Sequence, residues 1–254
     1  MVIKKLSYCW RLLATASAFT LFGLGGVLVP IVAIPVLFLL PGGRLARQRR
    51  ARYMVHKMFV LFIHYMRAVG ILRWDFSGLE RLKRPGLLIL ANHPTLLDVV
   101  FMVGLMPDVN CIVKGELLRN PAMRGFVSLT GYIINRGGEE LLQNAGDSLA
   151  AGSSLLVFPE GTRTPANGVM QLRRGAAHVA LKTRINPTLV VIQCNPSTLS
   201  RQHKWYHIPD RRFVITIEVN HDLPVQPFLG SNPALGARQL TKEIRNYYQG
   251  ELNT

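Results

Sequence analysis

The chain has 254 residues, 49% of them hydrophobic, with 30 Lys+Arg against 14 Asp+Glu and a formal charge of +16. Its length suits one full domain plus an appendage. Aromatic and basic residues are not interleaved as a single-strand-binding face requires, which excludes nucleic acid as the partner.

The charge is unevenly placed. Up to Val60 there are nine basic residues (Lys4, Lys5, Arg11, Arg44, Arg47, Arg49, Arg50, Arg52, Lys57) and no acid, and the first carboxylate is Asp75. These charges flank the uncharged stretch between Arg11 and Arg44, so an anionic membrane surface is the expected partner. Leu12 to Leu40 is long enough to cross a hydrocarbon core of ~30 Å at ~1.5 Å per residue. Gly23, Gly25, Gly26, Pro30 and Pro35 interrupt it. A single tilted span leaves Lys4, Lys5 and Arg11 on the far side, against the positive-inside tendency. A hairpin of two short helices turning near Gly25–Pro30 keeps both basic flanks cytoplasmic, and is the preferred expectation. A cleaved signal peptide is the third option, but Ala16-Ser17-Ala18 lies inside the apolar run rather than after it. Tyr53 to Trp74 then reads as an amphipathic helix at the membrane interface, with a core helix as the plain alternative.

From Asp75 the pattern changes. Short apolar runs recur at Leu87–Ala91, Val109–Val113, Tyr132–Ile134, Leu155–Phe158, Leu189–Ile192 and Phe213–Val219. Helical stretches lie between and after them, at Ala122–Leu129 (capped by Asn120, with Pro121 first), Glu139–Ala151, Gly175–Lys182 and Pro233–Tyr248. Strands alternating with helices predict an α/β fold with a mostly parallel or mixed sheet flanked by helices. The expected division is a membrane-anchoring helical region at 1–74 and a catalytic domain at 75–254. Cys9, Cys111 and Cys194 are three in number and far apart. They form neither a disulfide framework nor a zinc site, which fits a reducing cytosol.

Ligand sites in such sheets gather where strands end and helices begin. Four successive strand exits carry chemically loaded residues: His93, then Lys114-Gly115-Glu116, then Asn135-Arg136-Gly137-Gly138, then Pro159-Glu160-Gly161-Thr162-Arg163. At the first, Ala91-Asn92-His93-Pro94-Thr95-Leu96-Leu97-Asp98, Pro94 fits the first helical position and His93 the cap before it. From outside the helix the imidazole can fold back onto Asp98. The carboxylate can then fix its tautomer, leaving the other ring nitrogen to take a proton from a hydroxyl. Lys114, Arg136 and Arg163 can converge on a phosphate.

These residues resemble the glycerolipid acyltransferase family. Its first box, Asn-His and an Asp after four residues, is matched by Asn92, His93 and Asp98. The second is matched by Lys114, Glu116, Leu117, Pro121, Gly125, Gly131, Ile134 and Arg136. The third, Phe-Pro-Glu-Gly-Thr-Arg, is complete at Phe158 to Arg163 and is followed by Arg174-Gly175-Ala176. The fourth is half present: Pro187 matches, and Val190 stands where a second proline is usual.

The resemblance implies a membrane-bound O-acyltransferase in which His93 is the general base and Asp98 orients it. The acceptor oxygen attacks an acyl thioester carried by acyl-CoA or acyl carrier protein, directly and without an acyl-enzyme. It further implies an acceptor site built from Asn92, Lys114, Arg136, Glu160, Gly161, Thr162 and Arg163, with no metal and no cofactor required. The expected acceptor is a lysophospholipid, first of all 1-acylglycerol-3-phosphate giving phosphatidic acid, at the cytosolic face of the cytoplasmic (inner) membrane. Three departures (Asn135 before Arg136, Pro94-Thr95, and the fourth box) keep a different lyso-lipid, such as lyso-ornithine lipid, open as acceptor. A lipid or thioester hydrolase is the alternative activity, with the same base acting on water.

Overall fold

The computed structural model describes residues 2–165, 170–230 and 232–252. Two long helices come first. Helix α1 runs Val2–Leu39 and α2 runs Arg44–Ala68. The chain does not turn near Gly25–Pro30 as the glycines and prolines suggested. It stays helical to Leu39, and the turn comes at residues 40–43, where Gly42 has φ +112°. Packing explains the difference. Gly26 lies so close to helix α4 (Pro121–Thr130) that a Cβ would stand 2.3 Å from the Ala122 carbonyl oxygen. A Cβ on Gly125 would stand 2.5 Å from the Pro30 ring. These residues permit close helix contact, which offsets their poor helix propensity.

Helix α2 begins earlier and ends sooner than expected. Ala51, Val55, Phe59, Ile63 and Met66 fall on one buried stripe. The stripe packs on helix α3 (Asp98–Leu105), where Gly104 leaves room for the tip of Ile63. The plain core-helix alternative therefore describes this face. Arg52 is buried with it. Its guanidinium donates to Asp108 Oδ1 (2.6 Å), the Thr130 carbonyl (2.9 Å) and Ser153 Oγ (3.0 Å), joining α2 to the last residue of α4 and to two separate loops.

The strands are β1 (Leu72–Ser77), β2 (Leu88–Ala91), β3 (Val109–Val113), β4 (Ile133–Ile134), β5 (Ser154–Val157), β6 (Thr188–Asn195) and β7 (Phe213–Asp222). They form one seven-stranded sheet in the order β1-β7-β6-β2-β5-β3-β4. All pairs are parallel except β6 with β7, so the sheet is mixed. The helix expected to run to Trp74 ends at Ala68, and β1 crosses the expected 74/75 division. Helices α5 (Gly138–Ala150), α6 (Gly175–Thr183) and α7 (Pro233–Leu252) complete the fold.

Alternation along β2 shows the layering. Ile89 and Ala91 join a core shared with α1, α2 and α3, whereas Leu88 and Leu90 join one built on α5, α6 and α7. Buried Tyr248 fastens the second layer by donating its hydroxyl to the Leu90 carbonyl at 2.7 Å. Both faces of β2 are thus covered, and its C-terminal end is fixed where His93 follows.

Candidate active site

His93 follows β2 outside any helix, and α3 begins at Asp98, later than Pro94. The N-cap of α3 is Leu97, without a side-chain cap, and Thr95 organises the turn that leads into it. The Thr95 hydroxyl accepts from Leu97 N–H (3.0 Å), and the Thr95 N–H donates to Asp98 Oδ2 (2.7 Å). This is the reciprocal logic of a capping box, with Asp98 reaching back from the first turn of α3. Thr95 also donates its hydroxyl to Asp98 Oδ1 at 2.7 Å, which accounts for that hydroxyl without a covalent role.

The same carboxylate meets the histidine. His93 Nδ1 lies 2.7 Å from Asp98 Oδ2, and Asp98 is completely buried. A carboxylate acceptor at this distance sets the tautomer with the proton on Nδ1, leaving Nε2 as the basic nitrogen. Phe158 stacks on the ring at a centroid distance of 4.3 Å and fixes its plane. His93 keeps 15% side-chain exposure and lines a cavity of about 690 Å³.

The other expected residues divide into three groups. Lys114, Gly161, Thr162 and Arg163 line the same cavity as His93. Asn92 and Glu160 instead brace it from behind. Asn92 is buried and pairs with the backbone of Ile192 in both directions, donating from Nδ2 (2.8 Å) and accepting at Oδ1 (2.7 Å). It extends the β2–β6 ladder by one side chain and does not line the cavity. Glu160 is 3% exposed, and its Oε1 accepts from the His93 N–H and the Thr164 hydroxyl, both at 2.9 Å. Burial pushes the Glu160 carboxyl above its ordinary range, and those two hydrogen bonds pull it back in part. Its Oε2 is buried with no hydrogen-bond partner among the described residues. Arg136 is exposed after the two-residue β4 and does not line the cavity; its neighbour Asn135 does.

Sequence reasoning missed three parts of the site. Arg173 is a cavity cation, and its aliphatic stem lies against Gly161, where a Cβ would come within 3.0 Å of it. The apolar wall comes from the N-terminal helices, through Phe19 and Phe22 of α1 and Phe59 and Phe62 of α2. Periodicity marks such residues as helical without saying which cavity they face. The third part is the segment at 196–212. Arg163 donates to the carbonyls of Leu199 (2.8 Å) and Ser200 (3.0 Å), and Leu96 N–H donates to Leu199 as well. Burial lowers the Arg163 pKa from its ordinary value.

The arrangement offers an oriented imidazole, a cationic end and an apolar trough. It suits removal of a proton from a hydroxyl carried by an amphiphile with an anionic head. Among the described residues no group of three or more His, Cys, Asp or Glu is placed to hold a metal.

Residues 73–195 match the family model described as Acyltransferase. A 1-acyl-sn-glycerol-3-phosphate acyltransferase of Pseudomonas aeruginosa is 28% identical over 176 residues, covering 67% of this chain and 63% of that protein. One of Saccharomyces cerevisiae is 33% identical over 151 residues, covering 54% and 48%. The chain thus spans less than two thirds of the length of these curated relatives. The crystal structure of the 1-acyl-sn-glycerophosphate (LPA) acyltransferase PlsC from Thermotoga maritima superposes with a TM-score of 0.64 at 19% identity, over 97% of this chain and 98% of that one, and shows the fold. The ordered boxes and the matched segment agree, and residues 73–195 of the chain are similar to the acyltransferase family.

Proposed function

We propose that the protein moves a fatty acyl group from acyl-CoA or acyl carrier protein to the free hydroxyl of 1-acylglycerol-3-phosphate, giving phosphatidic acid. One observation carries the reading: an imidazole held 2.7 Å from a buried carboxylate at the wall of an amphiphilic cavity. His93 Nε2 takes the hydroxyl proton as the oxygen attacks the thioester carbonyl. The tetrahedral intermediate then expels the thiolate, and the imidazolium returns the proton to sulfur. Asp98 offsets the charge on the ring in between. Lys114, Arg163 and Arg173 draw the acceptor phosphate, and the Phe19–Phe22–Phe59–Phe62 wall takes an acyl chain.

Membrane association follows from α1. Lys5–Leu39 is long and apolar enough to cross a membrane. Yet α1 rests on the folded domain from Trp10, whose indole donates to the Val69 carbonyl, to Leu37, buried near Ala51 and Leu129. Its opposite side exposes Leu13, Leu24, Leu28, Ile31 and Phe38. A helix covered along one side by the protein and apolar on the other suits burial in a single leaflet, here that of the cytoplasmic (inner) membrane at its cytosolic face.

The test is an acceptor screen with purified protein. One acyl thioester is offered with lysolipids that carry or lack a phosphate, and the products are identified by mass. Acylation of 1-acylglycerol-3-phosphate is expected. His93→Ala should lower it on the order of a hundred- to ten-thousand-fold, and Lys114→Gln should raise KM more than it lowers kcat. Acyl release from the donor without acceptor dependence would point to a hydrolase instead.

A further inference from the structure

The wall of the active-site cavity changes character from one side to the other. Polar lining residues such as Lys114, Asn135, Thr162 and Arg163 come from loops that follow strands. The lining residues of α1, α2 and α3 are apolar or glycine, Phe22, Phe59 and Met66 among them, with one exception. That exception is Thr15 on α1.

A threonine inside an apolar helix can donate its hydroxyl to the carbonyl four residues back. The other helical threonines here all do so: Thr20 to Ala16 (3.0 Å), Thr130 to Phe126 (2.8 Å), Thr183 to Val179 (2.8 Å) and Thr241 to Ala237 (2.6 Å). Thr15 is 9% exposed, and its hydroxyl makes no hydrogen bond among the described residues. Thr15 and Phe22 lie two turns apart on one face of α1, about 10 Å along the helix axis. A single free hydroxyl is thus set in an apolar surface long enough to lie against a stretch of acyl chain.

A plain chain laid over Thr15 strips water from the hydroxyl and returns no partner, whereas an oxygen on the chain at that level replaces the lost bond. Charge narrows the class of oxygen. Arg11, four residues back on the same face, donates to Ser7 Oγ at 2.6 Å and does not line the cavity, so no cation of α1 meets a carboxylate there. A neutral oxygen fits, and a hydroxyl fits from either side because the threonine oxygen both donates and accepts.

We infer that Thr15 is a specificity-determining residue that favours an acyl chain carrying a hydroxyl or another neutral oxygen at the level of that helix turn. The inference rests on the acyl-transfer reading above and names the class of chain it works on. The chain of the thioester donor and the chain of the lysolipid acceptor present the same chemistry to this wall, and the two arms of the test separate them.

The test is a competition assay with the purified full chain. A plain saturated acyl thioester competes for 1-acylglycerol-3-phosphate with one of the same length that bears a single hydroxyl near the carbonyl, at mid-chain or near the methyl end. The product ratio is read by mass. The second arm keeps the donor plain and varies the acceptor's chain in the same way. One hydroxylated chain should be preferred about 2- to 12-fold, the worth of one hydrogen bond, and the arm that shows it identifies the chain that Thr15 meets. Thr15→Val, nearly the same shape without the hydroxyl, should bring that ratio close to one, and Thr15→Ser should keep it. Thr20→Val, whose hydroxyl already has a partner, is the helix control, and thermal unfolding checks that each variant is folded. A ratio of one for every chain in both arms, or a preference that survives Thr15→Val, overturns the inference. A wild-type chain that acylates no lysolipid with any donor overturns the acyl-transfer reading and this inference with it, a different result from indifference to the hydroxyl.

Discussion

Asp98→Asn separates charge from geometry in the proposed dyad. The Asp98 carboxylate accepts three hydrogen bonds of 2.7 Å, from His93 Nδ1 and Thr95 N–H at Oδ2 and from the Thr95 hydroxyl at Oδ1. An asparagine can enter in two orientations. With its NH₂ at the Oδ2 position, a donor would face the fixed Thr95 N–H in a fully buried site, so this orientation is disfavoured. With its carbonyl there, Thr95 N–H and His93 Nδ1–H are both satisfied. The NH₂ then donates to the Thr95 hydroxyl, which can accept. Fold, ring position and tautomer therefore persist, and only the charge facing the imidazolium is lost. Hydrogen bonds to a charged partner contribute about 1.5–3 kcal/mol against about 1 for neutral ones. Adding the lost long-range attraction, a deficit of about 2–3 kcal/mol is expected in the transition state, or about 30- to 150-fold in kcat/KM. The assay is steady-state thioester consumption at saturating donor, with thermal unfolding as control. Wild-type turnover in a folded Asp98→Asn protein would refute the general-base reading. So would an unchanged rate in His93→Ala.

Three further outcomes follow from other contacts. Glu160→Gln keeps an acceptor for His93 N–H and Thr164 and places an amide where Oε2 has no partner, so kcat and acceptor KM should stay near wild type, whereas Glu160→Ala lowers kcat. A raised KM in the Gln variant would restore Glu160 as a direct acceptor ligand. Because burial raises the Glu160 pKa, its protonated form favours folding, and that contribution fades as pH rises through the folded value. Glu160→Gln should therefore be at least as stable as wild type at pH 7, with the gap closing in acid, as read by denaturant unfolding. Arg52→Met strands Asp108, the Thr130 carbonyl and Ser153. Asp108 is 32% exposed and also near Arg49, so the loss should be about 2–3 kcal/mol, below the usual range for breaking a buried pair, measured by chemical denaturation. The Arg84–Asp222 pair, supported by Thr188, holds the Asp222 carboxyl below its ordinary range. A depressed carboxylate stabilises above its unfolded pKa, about 3.9, and loses that as pH falls through the folded value. Asp222→Asn should then cost about 0.5–1 kcal/mol at pH 7, solvent screening allowed for, and nothing in strong acid.

What the sequence revealed depended on how far each signal reaches along the chain. β2, β3 and β5 are short runs buried on both faces, so composition alone marked them. β1 was lost because Leu-Arg-Trp-Asp-Phe-Ser alternates in exposure and directly follows a helix whose apolar spacing it blurs. The dyad was legible because its two members lie five positions apart. Even so, the agent of the geometry was misassigned, since the turn is made by Thr95 with Asp98 and not by a cap at His93.

The family boxes told less than they seemed to, because a motif position does not reveal which way its side chain points. Asn92 and Glu160 sit within two boxes, yet their partners are Ile192, Thr164 and the backbone of His93, groups up to 100 residues away along the chain. Neither lines the cavity: Glu160 holds the His93 backbone, and Asn92 pins the strand end before it. Arg136 shows the converse: it follows an edge strand of two residues and stays exposed, while Arg173, which no motif marks, lies in the cavity. The cations that meet His93 are therefore Lys114, Arg163 and Arg173. The first two follow strands β3 and β5, which are neighbours in space though not in sequence. Strand order brings those two to one place, and the space left by Gly161 admits the third.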